Sequence, residues 1–246
     1  MKKIKYFSII LVTVTFLFAY HKCQSPDTLR NGLLAYYPFN GNANDESGNG
    51  FDCTIIGATL SSDRFDQSNS AFIFSGNEQY LTTDDIPSFD YQNSFSLSLW
   101  INTVREIKNN QVIIGKMTTF SDFQGWALLR ISNDPENIFF ILRNEGGNGI
   151  NEVRCSFPFK SFNIWNSISV VYDGTGKATG VSFYLNGNKA IKTIVYDNLS
   201  ATIVNNAPFN IGARDNGNAE FQGKIDEVRI YNRTLTENEI DQLYNN

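Results

Sequence analysis

The sequence contains a single histidine, His21, which lies near the start of the chain. A domain that begins after this residue has no imidazole, so it cannot form a Ser-His-Asp or Cys-His catalytic site or a histidine-based metal centre. The three cysteines, at positions 23, 53 and 155, do not have the spacing of zinc ligands. These absences exclude several common kinds of hydrolase and metalloenzyme site.

Other familiar signals are also missing. No glycine-rich phosphate loop lies between a strand and a helix, which argues against a nucleotide-binding fold. No repeat of fixed period occurs, which argues against a propeller. The one long apolar run, residues 6–20, is shorter than the roughly 20 residues that a membrane span needs.

The start of the chain has the pattern of an export signal. Three lysines precede the apolar run, which predicts a signal peptide over residues 1–22 and a tether over residues 23–31. An uncleaved anchor or a buried strand is the alternative. Cys23 directly follows the signal and predicts a lipid anchor, although the three residues before it are larger than those that usually precede a lipidated cysteine. Ordinary secretion is the rival interpretation.

The cysteine count and the charge bear on the compartment and the partners. If Cys23 carries a lipid, Cys53 and Cys155 remain to form a disulfide in an exported protein, with two buried free thiols as the alternative. Loss of residues 1–22 would remove four lysines and no acids, leaving 16 basic and 25 acidic residues and a net charge of −9. This charge argues against nucleic acids and anionic membranes as partners.

The rest of the chain has the pattern of short β-strands. Apolar and polar residues alternate over residues 95–101, as in a half-buried strand, and more than ten similar segments follow one another. Asn186-Gly187 is a strong hairpin signal between two of them. The pattern predicts an all-β domain of two packed antiparallel sheets.

The last segment combines a strand with the start of a helix. Its alternation places Asp226 on the same face as Val228 and Ile230, the face expected to be buried. A carboxylate there needs a partner, because burial of a bare charge is costly. Thr236 and Glu239 then have the spacing of a capping box, which predicts a short C-terminal helix.

Five segments, taken in order, resemble the laminin-G-like domains of the concanavalin A-like lectin and glucanase superfamily. They include FSLSLWI at residues 95–101 and GKIDEVRIYNRTLTENEI at residues 223–240. The five segments are residues 33–50, 71–83, 95–101, 163–187 and 209–240. The resemblance implies a concanavalin A-like jelly-roll sandwich over residues 32–246 with a short C-terminal helix.

The same resemblance implies a structural calcium ion. The loop at residues 41–50 is rich in Gly, Asn and Asp and offers the oxygen ligands that calcium takes. Domains of this kind often hold calcium between this loop and the last strand, which places the ligands at Asp45 and Asp226. In the alternative, Asp45 makes an Asx-turn, and Asp226 accepts backbone N–H bonds or pairs with an arginine.

Candidate ligand-binding residues lie in the middle of the chain, which resembles the laminin-G-like domains less well, and in one later turn. Carbohydrate sites pair an aromatic face with planar polar groups, and such residue types occur together here. The candidates are Trp126, Arg130, Arg143, Asn144, Arg214 and Asp215. In the alternative, Trp126 belongs to the core and the others form a solvated rim.

The acidic residues argue against catalysis. The laminarinase-like enzymes of the same superfold carry Glu-x-Asp-x-x-Glu or Glu-x-Asp-x-Glu on one strand, and this sequence has no such run. We therefore expect an exported, non-catalytic binding or adhesion domain whose partner is a glycan or a surface protein. The alternatives are a glycoside hydrolase or lyase with another carboxylate pair, and a purely structural surface module.

Overall fold

The structure is a computed structural model that describes residues 28–119, 123–144 and 150–246, with the side chain of Asn216 excepted. Within these residues the chain forms sixteen β-strands in two antiparallel eight-stranded sheets, followed by one α-helix. The predicted all-β jelly-roll sandwich with a short C-terminal helix is confirmed. The predicted signal peptide, the lipidation site Cys23 and most of the predicted tether lie outside the described residues.

The strands are short and are connected by turns and loops. They are β1 (Leu33–Tyr37), β2 (Thr54–Ile56), β3 (Thr59–Ser61), β4 (Ala71–Ser75), β5 (Tyr80–Thr83), β6 (Phe95–Thr103), β7 (Gln111–Met117), β8 (Gly125–Ile131), β9 (Asp134–Asn144), β10 (Asn151–Pro158), β11 (Asn166–Tyr172), β12 (Val181–Leu185), β13 (Asn188–Lys189), β14 (Thr193–Asp197), β15 (Phe209–Ile211) and β16 (Gln222–Tyr231). The helix α1 spans Glu237–Asn245, and short 3-10 turns lie at Thr28–Arg30, Ala178–Gly180 and Asp215–Gly217.

The two sheets stack around one main core. The first sheet has the order β13-β12-β11-β6-β16-β4-β3, with β1 paired to β16, and the second has the order β14-β10-β9-β8-β7-β15-β5-β2. In β6, Leu97, Leu99 and Ile101 face the core, as their alternation predicts. Each sheet also has an outer face, and the two outer faces carry the sites described below.

The predicted hairpin and helix are both present. Asn186 and Gly187 have positive φ angles of 51° and 75° and connect β12 to β13. Thr236 and Glu239 form the capping box of α1, and α1 packs on the outer face of the first sheet. No helix in the described part of the chain is both long and apolar enough to cross a membrane.

The start and the end of the described chain meet beside α1. Arg233 donates hydrogen bonds to the carbonyl of Thr28 (3.0 Å) and to the carbonyl of Asn31 (2.7 Å). Its guanidinium also pairs with Glu239 at 2.7 Å, which lowers the pKa of Glu239 to about 2. One arginine therefore connects the first described residues to the capping box of the last helix.

A β-bulge in β16 corrects the predicted position of Asp226. The register against β6 shifts between Asp226 and Arg229, and Glu227 has a positive φ of 54°. The extra residue changes the alternation, so that Ile225 and Val228 both face the core. Asp226 therefore lies on the outer face opposite Trp100, and the expectation that it shares a face with Val228 is wrong.

Candidate functional site

A pocket of about 220 Å³ lies on the outer face of the second sheet. Its floor is apolar and includes Leu129 and Ile141, which belong to a hydrophobic cluster separate from the main core. Three arginines and one phenylalanine surround this floor. We call this site the arginine pocket and define it by Phe123, Arg143, Arg154 and Arg214.

The alternation of β9 and β10 directs two of these arginines outward. Val153 of β10 faces the core, so its neighbours Glu152 and Arg154 face the outside. Glu152 is paired in register with Arg143 of β9, which brings three charged side chains together. Arg214 reaches the same place from the turn after β15.

Aromatic rings hold the guanidinium groups of the pocket. The guanidinium carbon of Arg214 lies 4.4 Å from the ring centre of Phe123, and that of Arg143 lies 5.6 Å from the same ring. Arg154 lies 5.1 Å from the ring of Tyr196 on β14. These are cation–π distances, and they fix the guanidinium planes at the rim of an apolar floor.

The acid of this site is Glu152, which is fully buried. Its carboxylate lies 2.8 Å from Nη2 of Arg154 and 3.6 Å from Nη1 of Arg143, but neither oxygen has a partner with hydrogen-bond geometry among the described residues. Burial raises the pKa of Glu152, and the two arginines oppose this effect. Burial likewise lowers the pKa of Arg214. Two guanidinium groups, those of Arg143 and Arg154, thus share the carboxylate of Glu152, and Arg214 lines the same pocket without pairing with it.

The structure places two of the six predicted ligand-binding residues at this pocket. Arg143 and Arg214 line the pocket. Asn144 follows Arg143 in β9 and donates a hydrogen bond to the carbonyl of Thr202 at 2.5 Å. Asp215 follows Arg214 and accepts a hydrogen bond from Thr119 at 3.4 Å. Their role in ligand binding stays a prediction.

The other two candidates are wrong as ligand contacts, because both are in the interior. Trp126 is 1% exposed and packs among Phe89, Phe95 and Phe209. This is the core position that the alternative interpretation describes. Its neighbours in alternation, such as Leu128, face the same core.

Arg130 is also fully buried, and its partners are backbone carbonyls. Its guanidinium donates hydrogen bonds to the carbonyls of Val104 (2.7 Å), Arg105 (2.8 Å) and Pro135 (3.1 Å), and to Thr103 Oγ1 (3.1 Å). Burial lowers its pKa to about 10. Arg130 therefore fixes the loop after β6 to the start of β9 and presents no free surface to a ligand.

Sequence reasoning missed Glu152 and Arg154, and it considered Phe123 only as a possible sugar contact beside Trp126 and Arg130. The alternation of residues 151–157 was a usable signal, because Val153 and Cys155 on the core face place Glu152 and Arg154 on the other face. The position of Phe123 had no comparable signal, since it precedes β8 in an irregular segment with a positive φ of 41°.

The predicted calcium ligand Asp45 is occupied by protein donors. Its Oδ1 accepts hydrogen bonds from the backbone N–H of Tyr36 and of Ser47, both at 2.9 Å. Its Oδ2 accepts from Ser47 Oγ at 2.8 Å and from the backbone N–H of Phe51 at 3.1 Å. The bond to the backbone N–H of Ser47 is the Asx-turn of the alternative interpretation.

The second predicted ligand, Asp226, is 2% exposed and pairs with an arginine. Its Oδ2 lies 3.5 Å from Nη1 of Arg64, and its Oδ1 accepts the backbone N–H of Glu227 at 2.7 Å. Burial raises its pKa to about 7, with a contribution from the nearby Glu227. In the described residues no group of three or more His, Cys, Asp or Glu side chains could hold a metal ion. These contacts do not fit a calcium ion next to Arg64, and calcium binding stays a prediction.

Cys53 and Cys155 are both free thiols, so the predicted disulfide is wrong. The two residues have different neighbours: Cys53 lies beside Tyr37, whereas Sγ of Cys155 lies 3.8 Å from the carbonyl of Ala178. Burial raises the pKa of Cys53 to about 12 and that of Cys155 to about 11. Both thiols stay protonated at neutral pH. Two free thiols are the alternative that the cysteine count left open.

The chain belongs to the concanavalin A-like lectin/glucanases superfamily, whose laminin G model matches residues 75–241. Strand β1 and the loop that holds Asp45 precede this match, yet β1 pairs with β16 inside it. The family assignment agrees with the resemblance that the sequence carries.

Two curated proteins are similar in sequence. Paraclostridial mosquitocidal protein 1 of Paraclostridium bifermentans is 28% identical over 188 residues, which are 72% of this chain and 14% of that protein. Botulinum neurotoxin type X of Clostridium botulinum is 26% identical over 160 residues, which are 64% of this chain and 11% of that protein. The chain therefore spans about one-eighth of the length of these relatives.

Solved structures share the fold. The binding domain of Paraclostridial Mosquitocidal Protein 1 superposes with a TM-score of 0.66 and 21% identity, covering 88% of this chain and 52% of that chain. The binding domain of botulinum neurotoxin serotype D gives a TM-score of 0.65 at 17% identity, covering 89% of this chain and 51% of that chain. These likenesses show the architecture, and half of each solved chain has no counterpart here.

Proposed function

We propose that this chain is a non-catalytic binding module that holds the acidic group of a surface glycan in the arginine pocket. The observation that carries the proposal is the convergence of Arg143, Arg154 and Arg214 on an apolar floor beside the ring of Phe123. Guanidinium groups bind carboxylate and sulfate oxygens with paired hydrogen bonds. An aromatic ring beside them offers a flat surface for a sugar.

The charges of the pocket support an anionic ligand. Among the described residues, Glu152 is the one acid that pairs with Arg143 and Arg154, and it lies between them. Arg214 forms no side-chain hydrogen bond or ion pair with any described residue, and Asp215 next to it is its acidic neighbour. The Nε atoms of all three arginines are buried and have no hydrogen-bond partner in the described part of the chain. The described residues therefore supply fewer acceptors than these guanidinium groups have donors, and a bound anion would add acceptors at the pocket.

The size of the pocket supports a small group at the end of a longer molecule. Drug-sized ligands occupy cavities of about 300–1,000 Å³, whereas this one measures about 220 Å³. The pocket therefore suits a single acidic sugar residue, and the remainder of the glycan would extend over the neighbouring surface.

The contacts of the acids support a non-catalytic role over that of a glycoside hydrolase or lyase. A glycosidase needs two carboxyl groups on either side of the scissile bond. The described residues that line the pocket include no acid, and Glu152 beside it is engaged by two arginines. The solved relatives are described as binding domains, which agrees with this proposal at the level of the fold.

Export belongs to the same proposal. The lysine-rich start and the apolar run at residues 6–20 favour a signal peptide, and Cys23 favours a lipid anchor at a cell surface. Mass spectrometry of the protein purified from its own cells tests this directly. A lipid on an N-terminal Cys23 is the expected result, whereas an intact N-terminus would contradict export by this signal.

The test of the binding site is a glycan array that carries sialylated, uronate-bearing, sulfated and neutral glycans. We expect the unchanged protein to retain acidic glycans. In Arg143→Gln or Arg214→Gln, the affinity for the best of these glycans should fall about tenfold or more, because each substitution removes a charge-assisted contact. Arg105→Gln is the matched control, since Arg105 is an exposed arginine that pairs with Glu136. Retention of no glycan would leave the purely structural module or a protein partner, and equal losses in all three variants would contradict a role of this pocket.

A further inference from the structure

A second cleft, of about 400 Å³, lies on the outer face of the first sheet, on the opposite side of the sandwich from the arginine pocket. Four aromatic rings line it, and each comes from a different part of the chain. Phe65 follows β3, Trp100 belongs to β6, Trp165 precedes β11, and Tyr244 belongs to α1. We call it the aromatic cleft and define it by these four residues and Arg64.

The rings of the cleft differ in exposure. Trp100 and Tyr244 stack with their centres 5.7 Å apart and their planes at 16°, so they form a fixed wall where the helix packs on the sheet. Phe65 is 60% exposed and Trp165 is half-buried. Aromatic rings that gather at the surface around a cleft indicate a binding site more strongly than scattered apolar residues do.

Arg64 supplies a charged group to the cleft, which Asn245 and Asn246 also line. Its guanidinium lies 4.3 Å from the ring centre of Phe65 and 4.7 Å from that of Trp100. It is nearly buried, and its one hydrogen bond to a described residue goes from Nη1 to Asp226 at 3.5 Å. A guanidinium has five N–H donors, so most of the donors of Arg64 are available to a ligand in the cleft.

The charges around Arg64 select a neutral ligand. Asp226 balances the charge of Arg64, and Asp63 lies close to the same pair. Glu227 is balanced in turn by Arg229 at 2.7 Å. The cleft therefore has no excess positive charge for an acidic group, and Arg64 over the rings would repel a cationic ligand.

We propose that the aromatic cleft binds a neutral pyranose sugar, which stacks on the exposed ring of Phe65 and accepts hydrogen bonds from Arg64. A pyranose has a flat C–H face for the ring and hydroxyl oxygens for the guanidinium. A nucleobase would offer a similar plane, but its polyanionic backbone would be repelled by the acidic domain. The proposal concerns other residues and another ligand class than the arginine pocket, so either site can fail without the other.

Tryptophan fluorescence gives a local readout for this site. The sequence has three tryptophans, and two of them, Trp100 and Trp165, line the cleft, whereas Trp126 is buried in the core. The probes are maltohexaose, cellohexaose and xylohexaose, each titrated into the full chain. We expect a saturable fluorescence change with at least one of them.

Two variants and a control assign the binding to the cleft. Phe65→Ala removes an exposed ring that does not contribute to the packing of the core. Loss of a stacking contact lowers the affinity for the sugar about tenfold. We expect such a loss in Phe65→Ala and a comparable loss in Arg64→Gln. Ile191→Ala, at the most exposed large apolar residue of the described chain, should bind as the unchanged protein does. No fluorescence change with any probe would overturn the proposal, and so would binding that survives both cleft variants or is lost only in Arg143→Gln.

Discussion

The two outer faces of the sandwich differ in how their charged side chains are balanced. On the second sheet, Arg143 and Arg154 pair with the carboxylate of Glu152, and Arg214 lies over the same apolar floor, so the arginines outnumber the paired carboxylate. On the first sheet, Arg64 and Asp226 are paired one to one beneath aromatic rings. The ligand class proposed for each face rests on this local ratio of charges, since the net charge of −5 for the whole chain predicts neither face.

The largest expected effect comes from breaking the balanced pair on the first sheet. Arg64→Met keeps a long unbranched side chain beside Phe65 and Trp100 but removes the guanidinium and leaves Asp226 buried without its partner. We expect the free energy of unfolding to fall by about 2–3 kcal/mol at pH 8, because an unpaired buried charge is costly. The fall should be smaller at pH 5, where Asp226 is protonated. Urea denaturation measures both.

The matched control for that variant is Arg64→Met combined with Asp226→Asn. Removal of both charges should restore most of the lost stability. An equal loss in the single variant at pH 5 and pH 8 would contradict the assigned role of the pair.

A smaller effect is expected from the titration of Asp226 itself. Its ordinary pKa is 3.8 and its pKa in the folded protein is about 7, so the folded state holds this proton more tightly than the unfolded chain. The stability that this contributes is fully present below about pH 4 and is lost as the pH rises through about 7. We expect the melting temperature to fall by roughly 3–6 °C between pH 5 and pH 8. In Asp226→Asn this part of the pH dependence should vanish, and an unchanged slope would assign it to other groups.

The third test increases the excess of positive charge on the second sheet. Glu152→Gln keeps the shape of the side chain but removes the one carboxylate between Arg143 and Arg154. We expect the affinity for the best acidic glycan to rise about threefold, as for the loss of one competing ion pair. Binding of a neutral hexaose should not change. Titration calorimetry measures both, and an unaltered or weaker acidic affinity would show that these arginines do not face the ligand.

The smallest expected effect is that of a chelator. The four hydrogen bonds to Asp45 and the pairing of Asp226 with Arg64 use the oxygens that calcium would need. We therefore expect the same melting temperature with EDTA and with added calcium, contrary to the calcium site that the family resemblance implies. A calcium-dependent rise that disappears in Asp45→Ala would establish the metal site, because a ligand that binds only the native state raises stability.

The framework of the fold was predictable because it depends on local patterns. Alternation in residues 95–101, the turn at Asn186-Gly187 and the capping box at Thr236 each act within a few residues, and all are present. Trp126 and Arg130 were misassigned although they share the core face of β8 with Leu128. Their chemistry suggested a ligand, whereas their alternation indicated the interior.

The sites were less predictable because they depend on distant parts of the chain. The bulge at Glu227 occurs at a residue other than glycine, so the sequence gives no sign of it. This bulge places Asp226 on the outer face instead of the core face. Arg214 and Phe123 are 91 positions apart in the sequence numbering and meet only in the folded chain. The alternation of apolar and polar residues along a strand gives no information about contacts between such distant segments.

The bonds of Arg233 to Thr28 and Asn31 have a consequence for how the domain can be attached. The chain enters and leaves the described domain at one corner, beside α1 and on the side of the first sheet. Any segment joined before residue 28 or after residue 246 therefore departs from that corner. The outer face of the second sheet, on the far side, therefore points away from the point of attachment.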